Sequence, residues 1–222
     1  MKPVFAKLAL AAAVLCATGA AHAGVVVSSY ATAPLLTTAN FDRAAKNVNI
    51  PVWTIADNDL NLIAFCIEPV IDMIVARTDY AASAFTGFAN NTQVQRLYSL
   101  YYPAATEGSA AGKQTALSFQ LALWDIYKDD GSFASGKFAI NAAMNPNVDV
   151  KAIIAGAAGM MTAARNESVA IDKQFVFTRY ASAGSQSVVT ATAANVPEPG
   201  SIAVLGMGAM MMGLARRRAR RA

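Results

Sequence analysis

The stretch AAGKQTALSFQLALWDIYK, Ala110 to Lys128, reads as one helix. Ala116, Phe119, Gln120, Leu123 and Tyr127 recur at three- and four-residue spacing and share one stripe. Four of the five suit a core. Gln120 does not, because a buried carboxamide left without partners costs about 1–3 kcal/mol. Gln114 lies six positions earlier, far round the helix, and fits a solvated face.

Two more helices flank this one. Asn91 or Thr92 caps a helix with Val94, Leu97, Tyr98 and Tyr101 at i, i+3, i+4 and i+7, and Pro103 is expected to stop it. A third runs from Val148 to Arg165, with Val150, Ile153, Ile154, Ala157 and Met161 facing the core.

Strand patterns lie outside the helices. Gly24 to Tyr30 is one. Val52–Ala56 and Leu60–Ile67 form a hairpin around Asp57-Asn58-Asp59, and Ile71 to Ala76 is a further strand. Lys173–Tyr180 and Ser185–Ala191 alternate as two more, joined at Ala181 to Gly184. The expectation is an α+β domain with strands at both ends and a helical insert, spanning residues 24–195.

The chain ends are addresses. Lys2 and Lys7 precede a short apolar run, Leu8 to Thr18, and Ala21-His22-Ala23 places small residues before a cut at Gly24. Residues 1–23 therefore read as an export signal. Leu15 stands before Cys16, where a lipoprotein site needs a small residue. At the other end, Val196-Pro197-Glu198-Pro199-Gly200 is incompatible with a helix. An uncharged run from Ser201 to Ala215 follows, then Arg216, Arg217, Arg218, Arg220 and Arg221. The run is about 15 residues, roughly 22 Å as a helix, short of the ~20 residues of a stable span. The arginines mark its cytoplasmic end as a membrane stop.

Removing the two ends changes the chemistry. The whole chain has 18 basic and 14 acidic residues, but between Gly24 and Val196 there are 11 basic and 13 acidic. No basic patch remains for nucleic acid. The only histidine, His22, and one of two cysteines, Cys16, lie in the export signal. The exported chain then keeps Cys66 and no histidine. An internal disulfide, a Cys/His zinc site, a haem histidine, a Ser-His-Asp triad and a Cys-His dyad are all excluded. No metal, cofactor or catalytic set is expected. A carboxylate-only enzyme would have to use Asp125, Asp129 and Asp130, which look like a solvated helix end.

The C-terminal order of Pro-Glu-Pro, short apolar run and Arg-rich tail is similar to the PEP-CTERM sorting signal, here residues 196–222 with Val196, Pro197, Glu198 and Pro199 as its motif. The resemblance implies a Gram-negative bacterium that makes extracellular polysaccharide. It also implies transient residence in the inner membrane through 201–215, and an exosortase acting near Pro197–Pro199.

A second resemblance concerns the ectodomain. Phe65-Cys66-Ile67-Glu68 resembles the [YFL]-C-I-[DE] motif of bacterial Cys-Gln thioester domains, and Gln120-Leu121-Ala122-Leu123-Trp124 resembles their Q-x-A-x-W helix. The likeness covers roughly residues 50–128. It implies that the Cys66 sulfur and the Gln120 side-chain carbonyl join in an internal thioester, with loss of ammonia. Phe65, Ile67, Phe119, Leu123 and Trp124 would shield the bond from water. An amine-bearing surface protein or matrix polymer would be captured once, without turnover, at the cell surface or in the extracellular matrix. The alternative is a non-covalent structural matrix protein, with Cys66 a small buried hydrophobe and Gln120 a core amide bonded to backbone.

Overall fold

The computed structural model describes residues 25–194, apart from 33–35, 42–43, 58–59, 70, 75–78, 141–144 and 146. The export signal, the sorting motif, the 201–215 run and the arginine cluster lie outside the described residues. Among the described residues no helix is long and apolar enough to cross a membrane.

Nine strands and three helices follow in chain order. They are β1 (Val26–Thr32), β2 (Leu36–Phe41), β3 (Ala44–Val48), β4 (Pro51–Asp57), β5 (Leu60–Cys66), β6 (Ala81–Ala84), α1 (Asn91–Ala105), α2 (Ala110–Lys128), β7 (Phe138–Ile140), α3 (Val148–Arg165), β8 (Phe175–Ala181) and β9 (Val188–Ala193). One antiparallel sheet has the order β1-β4-β5-β9-β8-β6, and a smaller one the order β3-β2-β7. The mixed α+β class and the strands at both ends are as the sequence predicts. β9 inserts beside β5, pairing Val189 with Phe65 and Val188 with Cys66, so the last strands flank the early hairpin.

The helices start where local chemistry starts them. Ser109 caps α2 by accepting the Gly112 N–H at 3.0 Å, and Asn147 caps α3 by accepting the Asp149 and Val150 N–H groups. At α1 the N-cap is Asn90. Its amide instead donates to the Ile126 carbonyl at the end of α2, tying the two helices together. Pro103 does not stop α1, which continues to Ala105. A proline in the last turn forfeits one bond to the turn before it, and the carbonyls of Tyr102 and Pro103 still accept the Thr106 N–H.

The stripe expected on α2 is wider than its periodicity. Every residue from Ala116 to Ile126 is buried, because α2 runs between α1, α3 and the large sheet. Gly156 of α3 lets the helices approach closely; a Cβ there would sit 2.6 Å from the Ser118 hydroxyl. Gln114 is exposed, as expected.

Four strands carry no strong alternation and escape the sequence reading: β2, β3, β6 and β7. Conversely, Ile71 to Ile74 is not a strand, and residues 75–76 lie outside the described set. Gln186 holds this segment instead: its amide donates to the carbonyls of Glu68 and Ile71 while its oxygen accepts the Trp53 indole N–H. The Gln186 clamp satisfies backbone carbonyls that a strand would have paired.

Candidate functional site

β5 ends at Cys66, and its neighbour gives out at the same point. The β4–β5 register runs to the Val52–Phe65 pair. The next residue of β4 is Pro51, which has no N–H to offer Cys66. The Cys66 carbonyl is therefore left without a donor from β4, and Gln120 pairs with it and with the Cys66 N–H as well. The Cys66 N–H donates to Gln120 Oε1 at 2.7 Å, and Gln120 Nε2 donates to the Cys66 carbonyl at 2.9 Å. The carboxamide takes the place of a neighbouring strand's peptide unit. This pairing accounts for a glutamine on the most buried helix of the domain.

Cys66 and Gln120 both have 0% exposure. Phe65 packs on Phe119 with ring centroids 4.5 Å apart, and Tyr98 meets Phe119 edge-on at 4.8 Å. Ile67, Leu123 and Trp124 belong to the same buried core. The five residues named from sequence as a shield are all buried, in the core cluster that contains Cys66. Tyr98, Tyr102 and Phe138 complete the aromatic wall, with Phe138 edge-on to Trp124 at 6.1 Å. The α1 periodicity marked Tyr98 as core, but nothing local placed it against Phe65.

The sulfur is a protonated thiol at neutral pH. Burial pushes its pKa far up, opposed by the Glu68 N–H, 3.3 Å from Sγ, and by the Trp124 indole N–H. The Glu68 carboxylate raises it slightly further, and Lys128 lowers it slightly. Glu68 is itself pinned. One carboxylate oxygen accepts the Ser187 N–H at 2.8 Å and the other meets Arg179 at 3.4 Å.

The acidic group after α2 departs from expectation. Asp125 is not at a solvated helix end but fully buried. Neither of its carboxylate oxygens has a hydrogen bond of normal geometry, although the N–H groups of Gly131 and Ser132 favour its charge from further off. Burial, with Asp129 and Asp130 adding repulsion, raises its pKa to about 7. Asp129 is committed elsewhere, accepting the Phe138 N–H at 2.5 Å. Among the described residues no three His, Cys, Asp or Glu side chains are grouped to hold a metal ion.

The arrangement gathers a thiol-bearing residue, a carboxamide and a donor to the carboxamide oxygen inside a buried core.

Comparison with known proteins bears on the two ends of the reading unequally. The PEP-CTERM protein-sorting motif matches residues 195–221, so the chain carries that motif and is marked for export and surface direction. No curated protein matches. Among solved structures, the N-terminal domain of the Streptococcus pyogenes pilus tip adhesin Cpa shows a weak likeness, at 12% identity and a TM-score of 0.42, over 65% of this chain and 84% of that one.

Proposed function

We propose that the ectodomain of this exported protein forms a Cys66–Gln120 thioester and uses it once, to bond covalently to an amine-bearing partner. The observation that carries the proposal is the two-point pairing of the Gln120 carboxamide with the main chain of Cys66. It holds the Gln120 carbonyl carbon beside the residue that bears the only sulfhydryl of the exported chain.

The chemistry follows from these contacts. The Cys66 sulfur attacks the side-chain carbonyl carbon of Gln120. Negative charge builds on Oε1, where the Cys66 N–H already donates, as in an oxyanion hole. The C–N bond breaks, Nε2 takes the thiol proton and leaves as ammonia. The resulting thioester sits in an apolar core that excludes water. A primary amine later attacks the same carbon and expels the sulfur. With no histidine in the exported chain to act as base, amines are preferred to hydroxyls. Each molecule reacts once, so the protein is a capture device and not an enzyme.

Sorting completes the proposal. An exosortase cuts near Pro197–Pro199 after the 201–215 run has held the chain transiently in the inner membrane. The mature protein then stands at the cell surface or in the extracellular matrix of a Gram-negative, polysaccharide-producing bacterium.

A second reading is favoured by the same two hydrogen bonds. They give the Gln120 amide oxygen and one of its N–H groups a partner each, as a structural core glutamine requires. The protein would then be a non-covalent component of the matrix. Intact mass of the secreted protein decides between them. The thioester form is lighter by one ammonia and gains methylamine on treatment. Full mass, one free thiol and no adduct would overturn the thioester.

A further inference from the structure

A cavity of about 480 Å³, the size of a small-ligand site, opens at the start of α1. Residues 89–93, Arg96, Arg165 and Glu167 line it, and neither Cys66 nor Gln120 does. Its wall holds a cation sunk into the domain: Arg96 is only 5% exposed. Arg96 Nε donates to the Val169 carbonyl at 2.8 Å and Nη1 to the Ala164 carbonyl at 2.6 Å, which fixes the plane of the guanidinium. Its Nη2 has no protein partner among the described residues, and no carboxylate there pairs with it. A buried charge left without a counter-charge is costly. The start of α1 adds donors. The first bond within the helix runs from the Val94 N–H to the Asn90 carbonyl at 3.0 Å, so the N–H groups of Asn91, Thr92 and Gln93 have no acceptor in the helix. Asn90 does not cap them, because its amide is spent on the Ile126 carbonyl. Arg165, in the last turn of α3, brings a second guanidinium to the same cavity.

We propose that this cavity binds a sugar acid: a hydroxylated ring carrying one carboxylate, free or as a unit of a polymer. Arg96 Nη2 and the open N–H groups of α1 take the carboxylate, and the positive end of the helix dipole favours it. Glu167 sets the charge of the ligand. Two guanidinium groups against one carboxylate leave the wall at a net charge of 2 − 1 = +1. Doubling a ligand's charge doubles its attraction to such a wall but raises its desolvation cost about fourfold, so a carboxylate suits the cavity better than a phosphate dianion. The ring follows from the remaining wall. Asn91, Thr92 and Gln93 offer amides and a hydroxyl, and no aromatic or large aliphatic side chain lines the cavity. Hydroxyl groups find partners there and an apolar acid does not. Binding is reversible and needs no thioester.

The test titrates the secreted mature chain with galacturonate, galactose, acetate, sulfate and a galacturonate trimer, followed by amide NMR and calorimetry. Galacturonate should move the amide resonances of Asn91, Thr92 and Gln93, and should bind at least about 10-fold more tightly than galactose, the usual weight of hydrogen bonds to a charged group. A trimer that binds more tightly than the monomer identifies the source as a polymer, and equal binding identifies it as a free sugar acid. Arg165→Gln should weaken galacturonate about 3-fold, as an exposed charge does, and Glu167→Gln should tighten it by a similar factor. Arg96→Lys keeps the charge but loses the fixed fork, and should weaken binding about 10-fold. Where Arg96→Lys does not fold, the opposite effects at 165 and 167 and the wild-type amide shifts decide. Galactose binding as well as galacturonate would overturn the proposal. So would acetate or sulfate binding as tightly, equal effects at 165 and 167, or shifts that spare the start of α1. The ammonia mass deficit reads the thioester separately, so either reading can fail while the other stands.

Discussion

The side chain of Gln120 is bonded to both main-chain polar groups of Cys66, at 2.7 and 2.9 Å, across 54 residues of chain. A single carboxamide therefore finishes the end of an interior strand and brings an acyl carbon to a thiol-bearing residue.

Cys66→Ala should abolish methylamine capture and leave the fold nearly intact. The pairing with Gln120 uses the backbone of residue 66, which alanine keeps. Against a wild type whose thioester has been opened with methylamine, the stability loss should be about 1 kcal/mol, from the missing sulfur alone. Urea denaturation of the variant, with a loss well above that figure, would show that the side chain has a larger structural part.

Gln120→Ala should be far costlier. It strands the Cys66 N–H and carbonyl in a buried core, each worth about 1–3 kcal/mol, and leaves a cavity besides. Its Cys66 thiol should react with a thiol reagent only after unfolding. Gln114→Ala, at an exposed position of the same helix, should change stability by less than about 0.5 kcal/mol. Equal effects at the two glutamines would contradict the pairing.

Tyr98→Phe should be neutral or stabilising. The Tyr98 hydroxyl is buried with no hydrogen-bond partner among the described residues. Deleting it removes a desolvation cost of about 1 kcal/mol and keeps the ring against Phe119 and Phe177. A clear drop in melting temperature would reveal a partner for the hydroxyl.

Asp125 predicts a pH dependence. Its pKa is about 7 in the folded chain against 3.8 for the free side chain. Between those values the native state binds a proton that the unfolded state has lost, so stability falls as pH rises from about 4 to 7. The loss approaches ~4 kcal/mol above pH 7. Asp125→Asn should melt near the wild type at pH 4.5 and higher than the wild type at pH 8. Parallel melting curves for the two proteins across that range would refute the assignment.

Processing is checked by N-terminal sequencing and mass of the secreted protein. The expected ends are Gly24 and a residue near Pro197–Pro199. A secreted form still carrying Arg216 to Arg221 would rule out sorting through the matched motif.

What the sequence determined by itself was whatever rests on near neighbours in the chain. The helices over Ala110–Lys128 and Val148–Arg165 agree with their periodicity, because side chains three and four apart share a face whatever lies across from them. The Val52–Ala56 and Leu60–Ile67 hairpin, the odd position of Gln120 and the sorting tail were legible for the same reason. Tertiary structure decided the rest. Only packing on three sides turns a striped α2 into a helix buried all round, and the same enclosure takes Asp125 out of water and raises its pKa. The short strands β2, β6 and β7 draw their pairing from distant segments, which local alternation does not encode. The partner of Gln120 is decided in the same way. A proline at position 51 leaves the Cys66 carbonyl without a donor from β4, and the fold of α2 against β5 delivers a carboxamide that pairs with both main-chain groups of Cys66.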